Sequence, residues 1–115
     1  MLRVDQTEGE IQHDIIELLR VAFPLAWFER CNTGMVRKNG RVIRFGLGKG
    51  CADVIGCMLG MMIAIEVKKP GKPLDPDQIR WWARHESAGG VYILAHSPQE
   101  AVELLKLSVA KRRAT

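Results

Sequence analysis

The sequence predicts an α/β protein: a mixed β-sheet flanked by helices, with elements in the order α-β-β-β-β-β-α-β-α. Two observations carry this. Short strand-like runs separated by turn signals fill the chain between a first and a second helix. The strand at Met61, the helix after it and the strand at Val91 then form a crossover unit of the kind that joins parallel strands. With 115 residues, the chain reads as one domain over 1–115.

The first helix spans about Thr7 to Ala22, with Thr7 as N-cap and Glu10 completing a capping box. Ile11, Ile15, Leu18, Leu19 and Ala22 supply its apolar stripe, and Phe23-Pro24 ends it. Trp27–Cys31 reads as a short strand. Met35–Arg37 and Arg41–Phe45 flank Asn39-Gly40, a favoured hairpin turn. A glycine-rich loop, Gly46–Gly50, follows. Asp53–Met58 and Met61–Lys68 are strands joined at Leu59-Gly60. Asp75 caps a second helix with Pro76 at its first position and Gln78 closing the box, and Gly89-Gly90 stops it. Val91–Ala95 is a strand, and Ser97-Pro98 opens a last helix that ends near Lys111-Arg112-Arg113.

Composition excludes several classes. No run approaches the ~20 apolar residues of a membrane span. Residues Met1–Gln6 lack the apolar core of a signal peptide, so a cytoplasmic setting is expected, bacterial or that of a phage-infected host. Cys31, Cys51 and Cys57 make no CxxC pair, and His13, His85 and His96 have no zinc-ligand spacing. These six residues read as packing or surface. The net charge of +4 is unevenly spread: Arg30 to Ala52 holds six basic residues and no acid, so the remainder is net acidic. A polyanion-facing surface is the implication.

Three carboxylates stand where carboxylates are costly. With Glu8 set at zero on a helical wheel, Leu19 and Ile15 fall about 20° to either side, whereas Glu10, Asp14 and Glu17 lie about 180–240° away. Glu8 therefore shares the apolar side of its helix. A two-residue turn at Leu59-Gly60 pairs Met58 with Met61, Cys57 with Met62, Ile55 with Ala64 and Asp53 with Glu66. Two facing carboxylates repel, so they call for a cation beside them. The second strand is apolar on both faces, which marks it as interior and makes Glu66 costlier. Lys68 shares the face of Glu66. Carboxylate oxygens suit Mg²⁺, with Mn²⁺ as a substitute, and a neighbouring lysine can serve a water or a phosphate.

These residues resemble a known family. Asp53 followed by Glu66-Val67-Lys68 is the D…ExK signature of the PD-(D/E)xK nuclease superfamily. The wider set looks like its VRR-NUC (virus-type replication-repair nuclease) branch: Glu8–Gln12, Lys49–Gly56, Ile65–Gly71, Gln78 and Gly90–Tyr92. Ala52 stands where a proline is common. The resemblance implies a restriction-endonuclease-like fold and a Mg²⁺-dependent endodeoxyribonuclease that leaves 5′-phosphates. It implies Glu8, Asp53, Glu66 and the Val67 carbonyl as metal ligands, Lys68 serving the water, and Gln78 as a further active-site residue. Gln78 has a second reading, since it also completes a capping box.

Arg37, Lys38, Arg41, Arg44 and Lys49 on the hairpin and loop, with Lys69 and Lys72, are the candidate DNA-binding residues. No recognition helix is evident, so backbone and shape should dominate recognition. Ile79, Trp82 and Ala83 read as the inward stripe of the second helix, which leaves Trp81 about 160° from Ile79 and exposed. An exposed Trp81 suggests an interface or a base-stacking surface, and a dimer interface is favoured over DNA stacking. The resemblance implies a homodimer acting on branched or duplex DNA, as in Holliday-junction resolution, with no organic cofactor and no membrane partner. Two alternatives remain: a monomeric nuclease acting on flaps or nicks, and a non-catalytic nucleic-acid-binding module on the same fold.

Overall fold

The computed structural model describes residues 6–114; residues 1–5, where the leader question falls, lie outside them. Nine elements follow in the expected order: α1 (Glu8–Ala22), β1 (Trp27–Arg30), β2 (Gly34–Lys38), β3 (Arg41–Phe45), β4 (Val54–Met58), β5 (Met61–Val67), α2 (Pro76–Ser87), β6 (Val91–Ala95) and α3 (Pro98–Arg113). The main sheet runs β1-β4-β5-β6, antiparallel except for the parallel pair β5–β6. That parallel pair is what the strand–helix–strand unit requires.

Each helix starts where its cap dictates. The Thr7 side chain accepts from Glu10 N at 3.1 Å, and Glu10 Oε1 accepts from Thr7 N at 3.4 Å. Asp75 and Gln78 make the same reciprocal box, and Ser97 accepts from Glu100 N. These contacts satisfy backbone donors that a helix start leaves unpaired.

Helices α1 and α3 pack on each other and on one face of the sheet. Ile11, Ile15, Leu19, Ile63, Ile65 and Leu105 are at most 1% exposed in this core. Full burial of such a side chain is worth about 1.5–3 kcal/mol. Because side chains alternate along β5, Ala64 and Glu66 point to the other face, where α2 lies. There Ala52, Ala64, Trp81 and Tyr92 form a second, smaller core.

β2 and β3 pair only with each other, as a ribbon outside the main sheet. Its turn is built by Asn39 (φ 51°) and Gly40 (φ 73°), the two positive values a tight hairpin needs. All of β3 is exposed, and its apolar residues Val42, Ile43 and Phe45 are not buried against the main sheet.

The helical-wheel expectation for α2 is overturned. Trp81 is buried at 9% exposure, while Ile79 is 50% exposed and Ala83 also faces outward. The inward row is Gln78, Trp81 and His85, with Trp82 half-buried beside it. Trp81 stacks on His85 at 5.0 Å, and its Nε1 donates to Leu47 O at 2.8 Å. An indole with its N–H satisfied buries more apolar area than an isoleucine, and that decides the rotation of the helix.

Candidate functional site

The β4–β5 hairpin has the expected register: Met58 opposite Met61, Cys57 opposite Met62, Ile55 opposite Ala64. The ladder ends at Val54–Ile65, one residue short of Asp53. Asp53 leaves it because both its side chain and its backbone are used elsewhere. Its Oδ2 accepts from Val67 N at 2.8 Å, and its carbonyl accepts from Cys31 N at 2.7 Å. The side chain is thus pinned across the end of β5, beside Glu66.

Glu66 is 2% exposed, an extreme value for a carboxylate. Its Oε1 accepts from Gln78 Nε2 at 3.0 Å, whereas Oε2 is buried with no hydrogen-bond partner. Burial pushes its pKa up to about 9, with the neighbouring Asp53 charge and a hydrogen bond to Asp53 adding to the rise. Lys68 opposes that rise and Glu8 adds to it. Asp53 is also raised by burial, against the Val67 N–H and the Glu66 hydrogen bond, which lower it. Without a cation, burial and the neighbouring Asp53 charge favour a protonated Glu66, because two buried negative charges would repel.

Gln78 makes two contacts at once, one that closes the helix cap and one that reaches Glu66. Its Oε1 accepts from Asp75 N at 2.9 Å, closing the cap, while its Nε2 holds Glu66. A side-chain amide has a donor end and an acceptor end, so the two uses do not compete.

Glu8 is half-buried at the start of α1, whereas Glu10, Asp14 and Glu17 are exposed, as the wheel requires. Its Oε2 accepts from Lys69 N at 3.4 Å and lies 3.7 Å from Lys72 Nζ. Its charge is felt at both Asp53 and Glu66. Among the described residues, however, no three His, Cys, Asp or Glu side chains close on one point as a metal would need. Asp53 and Glu66 meet, and Glu8 stands beside them turned to the Lys69–Lys72 loop. The donor set nonetheless fits a hard divalent cation. The two carboxylates lie close enough for the Asp53 charge to raise the pKa of Glu66, and the buried Glu66 Oε2 has no partner, so a cation would relieve the repulsion and partner that oxygen.

Lys68 is half-buried and fixed through its backbone on both sides. Its N–H donates to Ala95 O at 3.1 Å, and its carbonyl accepts from His96 Nδ1 at 2.7 Å. No motif singles out His96, which lies 28 residues away and reaches Lys68 only through the parallel pairing of β5 and β6. Tyr92 lies in the small core on the same face of the sheet. Its ring stacks on Trp82 at 4.9 Å, its hydroxyl is buried without a partner, and burial with the nearby Glu66 and Asp53 charges raises its pKa.

Arg37, Lys38, Arg41 and Arg44 are all exposed on the ribbon. Lys49 is exposed too, but lies 3.3 Å from Asp77. Lys69 is half-buried and Lys72 exposed at the carboxylate side. A cleft of about 480 Å³ opens between the ribbon root and the start of α2, lined by Arg44, Phe45, Lys49, Asp77 and Gln78 among others. Gly50 (φ 85°) makes this closeness possible, since a Cβ there would collide with the Asp77 carbonyl.

The site is thus a buried carboxylate pair at the open end of one hairpin of a four-stranded mixed sheet with helices on both faces. A solved structure described as a VRR_NUC domain is similar to this chain with a TM-score of 0.60 and 20% identity, covering 86% of this chain and 94% of that one. The chain therefore has the VRR-NUC fold, a nuclease-domain fold. No protein-family model and no curated protein matches the sequence.

Proposed function

We propose that this protein is a metal-dependent DNA endonuclease acting on backbone phosphodiesters. The observation that carries the reading is Glu66: buried, held by Gln78, close enough to Asp53 and Lys68 to feel both charges, and left with an unpartnered oxygen. A buried ionisable pair of this kind is destabilising unless it serves a ligand.

Asp53, Glu66 and the Val67 carbonyl would hold the cation, with Glu8 joining on release from Lys72. Bound Mg²⁺ or Mn²⁺ supplies Lewis acidity, polarising a phosphate oxygen and acidifying water. Gln78 fixes the orientation of Glu66. Lys68 orients or deprotonates the attacking water, or neutralises charge that develops on the phosphate. The ribbon residues Arg37, Lys38, Arg41 and Arg44 grip the backbone on the far side of the cleft, with Lys69 and Lys72 flanking the carboxylates. Such contacts select DNA shape over base sequence.

Within this activity we read the protein as a Holliday-junction resolvase-like homodimer, with a monomer cutting flaps or nicks as the alternative. Trp81, being buried, has no place in the dimer interface. The test is cleavage of a panel of junction, flap, nicked duplex and single-stranded DNA with Mg²⁺ and with Mn²⁺, alongside the solution mass. Metal-dependent cleavage giving 5′-phosphates supports the reading. DNA binding with no metal binding and no cleavage of any substrate would establish the non-catalytic module instead.

A further inference from the structure

Cys31 and Cys51 stand at the two ends of the basic ribbon. Cys31 follows β1 directly, and Cys51 follows the glycine-rich loop. Twenty residues apart in sequence, their Sγ atoms lie 3.2 Å apart, in direct contact. Both are half-buried and free thiols, whereas Cys57 is exposed. Both backbones are held: Cys31 N donates to Asp53 O at 2.7 Å and Cys51 N to Gly48 O at 3.1 Å. The contact is therefore not made by two wandering loops.

We propose that Cys31 and Cys51 form a reversible redox modification site, closing to an intramolecular disulfide under hydrogen peroxide. One sulfur takes an oxygen from the peroxide, which leaves as water, and becomes a sulfenic acid. The second sulfur displaces that hydroxyl, the S–S bond forms, and another water departs. Two electrons pass from the two thiols to one peroxide. The sulfurs need only close from contact to the bonded separation of about 2.05 Å.

The bond has a defined consequence. Arg37, Lys38, Arg41, Arg44 and Lys49 all lie inside the closed loop, and Asp53 lies just outside it. The ribbon has no strand pairing to the main sheet, so its root is what sets its position relative to the carboxylates. Oxidation fixes that root by removing loop freedom from the unfolded and partly opened chain. This inference does not rest on the nuclease reading.

The experiment treats the full chain with limiting hydrogen peroxide, blocks remaining thiols by alkylation, and maps tryptic peptides without reduction. The expected result is loss of the mass of two hydrogens, a linked Cys31–Cys51 peptide, Cys57 still alkylated, and full reversal by dithiothreitol. The melting midpoint of the oxidised protein should lie above that of the reduced protein. C57S should retain the linkage and C51S should lose it. Alkylation of both Cys31 and Cys51 after peroxide, a linkage through Cys57, or a lower midpoint on oxidation would overturn the proposal.

Discussion

Replacing Glu66 by Gln should stabilise the metal-free protein while abolishing its metal-dependent chemistry, and the stabilisation should grow with pH. The glutamine is a permanent copy of the protonated glutamic acid. It can accept from Gln78 through its carbonyl and donate to Asp53 through its amide. The wild-type side chain has its pKa raised from 4.5 to about 9. Between those values the folded state holds a proton that the unfolded chain has released. Stability therefore falls as pH rises, by about 1.4 kcal/mol per pH unit at most. The contribution is fully present below pH 4.5 and fully lost above about pH 9. Relaxation and water entry reduce the ideal figure, so the Gln variant should exceed wild type by about 2–3 kcal/mol at pH 7 and by little at pH 4.5. Urea unfolding in the presence of a chelator at pH 5, 7 and 9 measures the difference. Parallel pH profiles for the two proteins would refute the reasoning, because they would mean that Glu66 ionises normally where it stands. Adding Mg²⁺ should then raise the stability of wild type and leave the variant unchanged, since only wild type binds the ion.

Four further outcomes are expected. Asp53→Ala and Lys68→Ala should each cut DNA at least about 10²-fold more slowly while binding it normally, as gel-shift and single-turnover assays can show. Glu8→Gln should lose cleavage, whereas Glu10→Gln should keep it with little change in stability, because a glutamine closes the capping box as Gln78 does; the opposite pattern would reverse the helix-face assignment. Trp81→Ala should destabilise the fold by about 3–5 kcal/mol in denaturant titrations, as a buried residue does and an exposed interface residue does not. Removing the charge of Arg37 or Arg41 should weaken DNA binding uniformly across sequences and lower the salt slope by about 1 per residue.

The parts of the site that are local in sequence were legible there. The Leu59-Gly60 turn and the alternation of apolar residues on β5 leave one register that keeps the core face inward, so Asp53 and Glu66 had to meet. The capping boxes at Thr7 and Asp75 are complete within four residues each. The rotation of α2 was not legible, because Ile79 and Trp81 are both apolar and a wheel alone cannot rank them. What ranks them is the Leu47 carbonyl, 34 residues away, that satisfies the indole. His96 and the Cys31–Cys51 contact are tertiary in the same sense. Each depends on chain segments that adjoin only after the sheet is assembled. An odd count of cysteines also hides a pair when the third lies elsewhere.

The contrast between a basic window and the acids after it becomes a spatial relation through the first turns of α2. Gln78 reaches inward to Glu66, Asp77 reaches outward to Lys49, and Trp81 holds the carbonyl of Leu47. Gly50 rests against the Asp77 backbone between them. One stretch of helix thus contacts both the glycine-rich root of the ribbon and the buried carboxylate. The ribbon shares no sheet hydrogen bonds with β4 or β5, so without α2 only Cys31, Cys51 and the short segments around them would fix its distance from Asp53. A phosphate backbone lying along the ribbon can reach the carboxylates only if that distance is held. Loosening α2 should therefore impair cleavage more than binding, even through residues that touch neither DNA nor metal.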